Sequence, residues 1–169
     1  EYGVYKNGAP TGRINASYDA SPQGVPSFFV YGDVAGVTLE DTAAAVYSDG
    51  VNVRRVAAAD GFAELLALGS ALGKMEPGGK PPYEFTLAAD PPTLLRRVKW
   101  TGTSRIMTAD GVVECYVLAV EPEGFVCYYD AGGVLVRAKW NSYEARLIRL
   151  PKTRADWAAS PAAAHTTLL

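Results

Sequence analysis

The chain is predicted to be mainly β, a strongly curved antiparallel sheet or incomplete barrel of about ten strands with one principal covering helix. Three observations point there. Residues 112–150 lay out as a four-strand meander once residues 121–124, 130–133 and 141–142 are taken as loops. Tyr116, Leu118 and Val120 then share a face with Phe125, Cys127 and Tyr129, with Val134, Val136, Ala138 and Trp140, and with Tyr143, Ala145 and Leu147. That is the period-2 alternation of a pleated sheet carried through three hairpins. Second, the pairs Asp49 with Gly50 and Asp110 with Gly111 each divide two strand-like runs, and such dipeptides supply the positive φ angles of type I′ hairpins. Third, only residues 61–75 carry a persuasive helical spacing.

Taken in order, residues 1–10 are rich in Gly, Asn and Pro and read as an extended N-terminal arm. Residues 11–19 alternate, Ile14, Ala16 and Tyr18 against Arg13, Asn15, Ser17 and Asp19, as a half-buried strand does. Residues 25–33, 43–48 and 51–56 supply three more strands. In the helix, Phe62, Leu65, Leu66, Leu72 and Met75 form an apolar stripe, with Asp60 placed as its cap. Gly69 and Gly73 weaken that helix and permit close approach to a backbone. Residues 76–82, with three prolines and two glycines, end it. Strands follow at 83–87, 94–100 and 104–109, before the meander. The domain thus spans residues 11–150, and residues 151–169, rich in Ala, Ser, Thr and Pro, read as a tail with Trp157 as an anchor.

Composition narrows the function classes. With 49% hydrophobic and 20% charged residues in 169, the chain holds enough apolar material for one well-buried core. Its formal charge of −2 gives no electrostatic reason to expect nucleic acid, and the short clusters Arg54, Arg55 and Arg96, Arg97, Lys99 read as solvated strand edges. No run reaches the roughly 20 apolar residues of a membrane-spanning helix. The first residue is Glu rather than Met, so a processed product is expected, and an exported, extracellular or organellar compartment is favoured over the cytoplasm.

No catalytic signature stands out, and the chain is read as non-enzymatic, with no cofactor. The one histidine, His165, lies in the tail, away from any nucleophile. There is no HExxH, no EF-hand loop and no closely spaced cysteine pair to hold a metal. Gly78, Gly79 and Lys80 lack the flanking strand and helix of a phosphate loop. Asp19, Asp33, Asp49, Asp110 and Asp130 all sit at strand ends or turns, where aspartate bonds its own backbone. Asn15-Ala16-Ser17 matches the N-glycosylation pattern. If Val120 pairs with Phe125, Cys115 and Cys127 point to opposite faces of the sheet, so buried free thiols are favoured over a disulfide. The same register sets Lys139 opposite Glu144 and, unfavourably, Arg137 opposite Arg146.

The order of elements, with Trp100-Thr101-Gly102, the run from Asp110 and Gly111 through Glu114, Cys115 and Tyr116, then Tyr128-Tyr129-Asp130 and Val134-Leu135-Val136-Arg137, resembles the LolA-like lipoprotein-carrier superfamily. The resemblance covers residues 83–150 best, with Leu135 near where that pattern has proline. It implies an incomplete barrel of about eleven strands closed by helices, holding an acyl chain or lending its convex surface to a partner, and it adds no catalytic group.

An apolar sheet face has to be covered by protein or by an apolar ligand. The leading expectation is a module that binds a lipid or other apolar small molecule between sheet and helix. Its lining would be Phe62 and Leu66 from the helix, with Tyr116, Leu118, Phe125, Tyr129, Val136, Trp140 and Tyr143 from the sheet. The aromatic members of that face also suit plain core packing. The alternative is an accessory or structural subunit docking on partner proteins through sheet edges and its extended terminal segments.

Overall fold

The computed structural model describes residues 1–19, 27–47, 51–57, 62–75, 84–88, 95–121 and 124–153, with the backbone alone at 41–47, 51–57, 71–75, 84–88 and 95–96. The Asp49 and Gly50 turn, the Asp60 cap, the 76–82 loop, Trp157 and His165 lie outside them.

Local chemistry forms the first hairpin. β1 (Tyr2–Lys6) and β2 (Ala9–Asp19) are joined by Asn7 and Gly8, both at positive φ, 50° and 82°. Lys6 faces Ala9 across the ladder, so this is a two-residue turn of the type I′ kind, twisted to match the strands it joins. Ala35 and Gly36 repeat it, at 54° and 79°, between β3 (Ser27–Val34) and β4 (Val37–Tyr47). Two expectations change here. Residues 1–10 are not a free arm: β1 pairs on both sides, and Tyr2 and Val4 are fully buried. In the hairpin at residues 108–111, only Gly111 has positive φ, so the turn is not of the I′ type expected.

β5 (Val51–Ala57) pairs with β4, and the chain then enters α1 (Phe62–Met75), whose Glu64 places an acid in the first turn against the helix dipole. β6 (Glu84–Ala88) pairs with β7 (Leu95–Thr108), a single strand where two had been expected, kept continuous by a bulge between Trp100 and Gly102. β8 (Gly111–Glu121), β9 (Phe125–Tyr129), β10 (Leu135–Trp140) and β11 (Tyr143–Leu147) are the meander. The sheet runs β5-β4-β3-β2-β1-β11-β10-β9-β8-β7-β6, all antiparallel, and β12 (Lys152–Thr153) adds a short parallel pairing to β2.

β1 is therefore the seam between the two halves. It joins the N-terminal hairpins to the C-terminal meander, and without it each half would end in an open edge. The sheet is mainly antiparallel, curved and not closed by hydrogen bonds, although its end strands β5 and β6 run close together.

The meander register follows the sequence reading, with Val120 opposite Phe125, Leu118 opposite Cys127 and Lys139 opposite Glu144. Arg137 does face Arg146, and Glu144 resolves the conflict by binding both guanidinium groups at 2.9 Å. Burial opposes ionisation of Glu144, but the Arg146 hydrogen bond and the charges of Arg137, Arg146 and Lys139 outweigh it and hold the carboxyl below its ordinary range.

One main core occupies the concave face, drawing on β1, β2, β3 and β7 through β11 as well as α1. All seven residues from Phe62 to Leu68 are at most 4% exposed. Seven consecutive residues cover every side of a helix of 3.6 residues per turn. The helix thus sits inside the curl of the sheet rather than lying across it on a single stripe.

Candidate functional site

What holds the helix also decides where space remains. Tyr129, fully buried on β9, donates its hydroxyl to the Leu65 carbonyl at 2.7 Å, and Tyr2 on β1 donates to the Leu135 carbonyl at 2.8 Å. Burial pushes both phenols well above their ordinary pKa, so they remain neutral donors. Gly69 makes the Tyr129 contact possible. A Cβ there would fall 2.7 Å from two ring carbons of Tyr129 and would run into the Gly133 carbonyl oxygen. The close approach expected of this glycine is what the fold uses. Gly73 has no described side.

At the start of the helix the space is filled by rings. Phe62 meets Tyr2 edge-on with centroids 5.2 Å apart, and Trp140 lies 6.3 Å from Phe62, 5.5 Å from Phe125 and 5.9 Å from Tyr143, stacked on the last. Such arrangements stabilise a core beyond the area they bury. Phe62, Phe125, Trp140 and Tyr143, expected to line a ligand crevice, thus pack on one another, and Leu118 and Tyr129 are fully buried in the same core. Tyr116 is half-buried on β8 and belongs to neither apolar cluster.

Val136 is on the wrong face for the expected lining. The β9–β10 ladder shifts register between Leu135 and Arg137, and this bulge turns Leu135 into the main core and Val136 outward. Val136 there joins Ile106 and Cys115 in a second small core, with Val113 and Tyr128 against it. Strict alternation cannot anticipate one extra residue. The two cysteines are free, buried and on opposite faces, as the register implied. Burial pushes the Cys127 thiol up to about 12 and that of Cys115 to about 11, the latter helped by the charge of Asp130.

The space that does remain is a cavity of about 280 Å³ at one rim of the sheet. Leu66 and Ser70 of the helix form its floor, Tyr2, Tyr18 and Phe28 one wall, and residues 132–135 the other. Leu150 and Pro151 cross its edge. Of the expected lining residues, only Leu66 borders it. The lining is chiefly apolar, and Tyr2, Tyr18 and Ser70 are its residues with polar side chains.

Two local devices shape this mouth. Asp130 Oδ1 accepts from the Gly132 and Val134 amides, both at 2.9 Å, which fixes the β9–β10 turn. This is the turn role expected of Asp130, and Asp33 plays it too, accepting from Gly36 at 3.1 Å. After β11, the Ile148 and Arg149 amides donate to the Glu1 carbonyl, carrying the chain across the end of β1 to β12. Turn chemistry at Asp130 was legible in sequence; the strap at residues 148–151 carried no signal beyond its proline.

Among the described residues no group of three His, Cys, Asp or Glu side chains could hold a metal, and no helix is long and apolar enough to cross a membrane. Asn15 lies half-buried within β2, opposite Tyr31, in an irregular place for a glycan acceptor. No known family, curated protein or solved structure matches this chain.

Proposed function

We propose that the protein is a non-enzymatic binding module for a small apolar ligand, of the size of one acyl chain, taken up at the rim cavity. The observation that carries the reading is the cavity itself, about 280 Å³ and chiefly apolar, between an internal helix and the concave sheet. That is just below the roughly 300–1,000 Å³ usual for small-molecule sites, and burial of apolar area at about 25 cal/mol per Å² supplies the affinity. The acyl-chain ligand is also what the resemblance of residues 83–150 to the LolA-like carriers implies, and in this chain the helix and its aromatic neighbours occupy the centre of the sheet.

The rival reading, an accessory subunit docking through extended terminal segments, loses its N-terminal element, since residues 2–6 form a strand paired on both sides. Residues 154–169 lie outside the described residues.

Val134→Trp, at a half-buried position of the cavity wall, tests the proposal. Titration with a fluorescent medium-chain fatty acid should show saturable binding by the native chain and at least about tenfold weaker binding by the variant, with an unchanged unfolding midpoint. Equal binding by both proteins, or none by the native chain, overturns it.

A further inference from the structure

We infer that the cavity rim is a docking surface for an anionic lipid bilayer, from which the ligand enters. The inference rests on the cavity reading above and adds the partner.

The ladder registers place the ends of β7, β9 and β11 and the starts of β1, β8 and β10 at one end of the sheet. Among the described residues five large hydrophobic side chains are exposed, and four of them lie at this end: Met107 (72%), Val112 (58%), Ile148 (46%) and Leu150 (62%). The fifth, Val37, is at the other. Leu150 borders the cavity itself. Scattered exposed apolar residues need no explanation, but their concentration at the end of the sheet that carries the apolar cavity does.

Met107 and Val112 face each other across the β7–β8 hairpin. That hairpin outruns its neighbours, because β9 pairs β8 only from Tyr116 onward and β6 pairs β7 only up to Lys99. Its opposite face is occupied by the Ile106 and Cys115 core, which leaves the Met107 and Val112 side turned to solvent.

Charge selects the kind of surface. The strap from Ile148 to Thr153 reads Ile-Arg-Leu-Pro-Lys-Thr, with two cations and no acid, and Arg149 and Lys152 are both exposed on either side of Leu150. An apolar residue bracketed by cations matches a bilayer interface with anionic headgroups, where the hydrocarbon accepts the leucine and phosphates meet the cations. On the hairpin, Arg105 faces Glu114 and Asp110 sits in the turn, a balance of one acid that opposes an anionic surface, so the hairpin contributes apolar contact alone and the attraction falls to Arg149 and Lys152.

The test uses the full chain in flotation assays with phosphatidylcholine vesicles, with or without phosphatidylglycerol as a third of the lipid. Binding should require phosphatidylglycerol and weaken with added salt. Arg149→Gln with Lys152→Gln should weaken it about 30-fold, from the usual contribution of each cation near such a surface, and Met107→Ser with Val112→Ser should weaken it several-fold. The soluble fatty-acid probe, titrated without vesicles, separates the two readings. Arg149→Gln with Lys152→Gln should bind it as the native chain does. Probe binding without vesicle binding overturns the docking surface and leaves the cavity standing; vesicle binding without probe binding supports the surface and overturns the cavity. Vesicle binding that ignores lipid charge, or that survives loss of both cations, also overturns the docking inference.

Discussion

Replacing Gly69 by alanine would strengthen almost any isolated helix, by about 1 kcal/mol for an interior position. Here the outcome should reverse. The added Cβ meets the Gly133 carbonyl oxygen, which is backbone and cannot rotate away, and two ring carbons of Tyr129 at 2.7 Å. Overpacking of this kind costs about 1–3 kcal/mol. Displacing the ring also endangers the hydrogen bond from Tyr129 to the Leu65 carbonyl, worth about 1 kcal/mol more. Subtracting the helix gain leaves a net destabilisation of about 1–3 kcal/mol, a fall in Tm of about 2–12 °C for a chain of this length. Urea unfolding followed by far-UV circular dichroism measures it, with the slope m expected to stay constant. Tyr129→Phe should cost about 1 kcal/mol alone, and the double variant should cost less than the sum, since both act on one contact. If Gly69→Ala matches or exceeds the native stability, the helix does not sit against Tyr129 and the β9–β10 turn, and the account of the cavity floor falls with it.

Other consequences are open to measurement. Deleting residues 1–6 should abolish cooperative unfolding, because β1 joins the two halves of the sheet; a truncated chain with native circular dichroism would refute its central place. Glu144→Gln should cost about 1 kcal/mol at pH 7, since Arg137 and Arg146 would face each other without their shared carboxylate. The carboxyl's lowered pKa means that this stabilisation is present above its unfolded value of 4.5 and is lost as pH falls through the lower folded value, so the variant's deficit should vanish in acid. Both thiols have folded values raised above their ordinary 9.0, so their neutral-state contribution is full below pH 9 and drains away toward pH 11 for Cys115 and 12 for Cys127. Neither should react with a thiol reagent at pH 8 until the chain is denatured, and fast modification in the native state would refute their burial.

Much of the meander could be read from residues alone. Period-2 alternation gave the pairings of Val120 with Phe125 and Lys139 with Glu144, and with them the opposite faces of the two cysteines. The signal for β1 was also present and was outweighed. Asn7 followed by Gly8 is a strong hairpin dipeptide, yet the surrounding Gly and Pro suggested an arm. Helix burial had a signal as well, since Phe62, Ala63, Leu65, Leu66, Ala67 and Leu68 are apolar around nearly the whole circumference.

Three-dimensional facts decided the rest. A bulge at Val136 turns one residue outward without any mark in the pattern, because only the ladder's neighbour counts the extra residue. Whether an aromatic side chain lines a cavity or fills it depends on distances between elements far apart in sequence, as for Phe62 and Trp140. The cavity likewise depends on where residues 2, 18, 28, 66 and 150 meet. Local alternation and turn chemistry determined which strands form and which of their faces are apolar, since those are properties of neighbours along the chain. What covers that apolar face, an internal helix with a small space left at one rim, was decided only when the whole sheet curled around it, because burial is settled by contacts that no local pattern encodes.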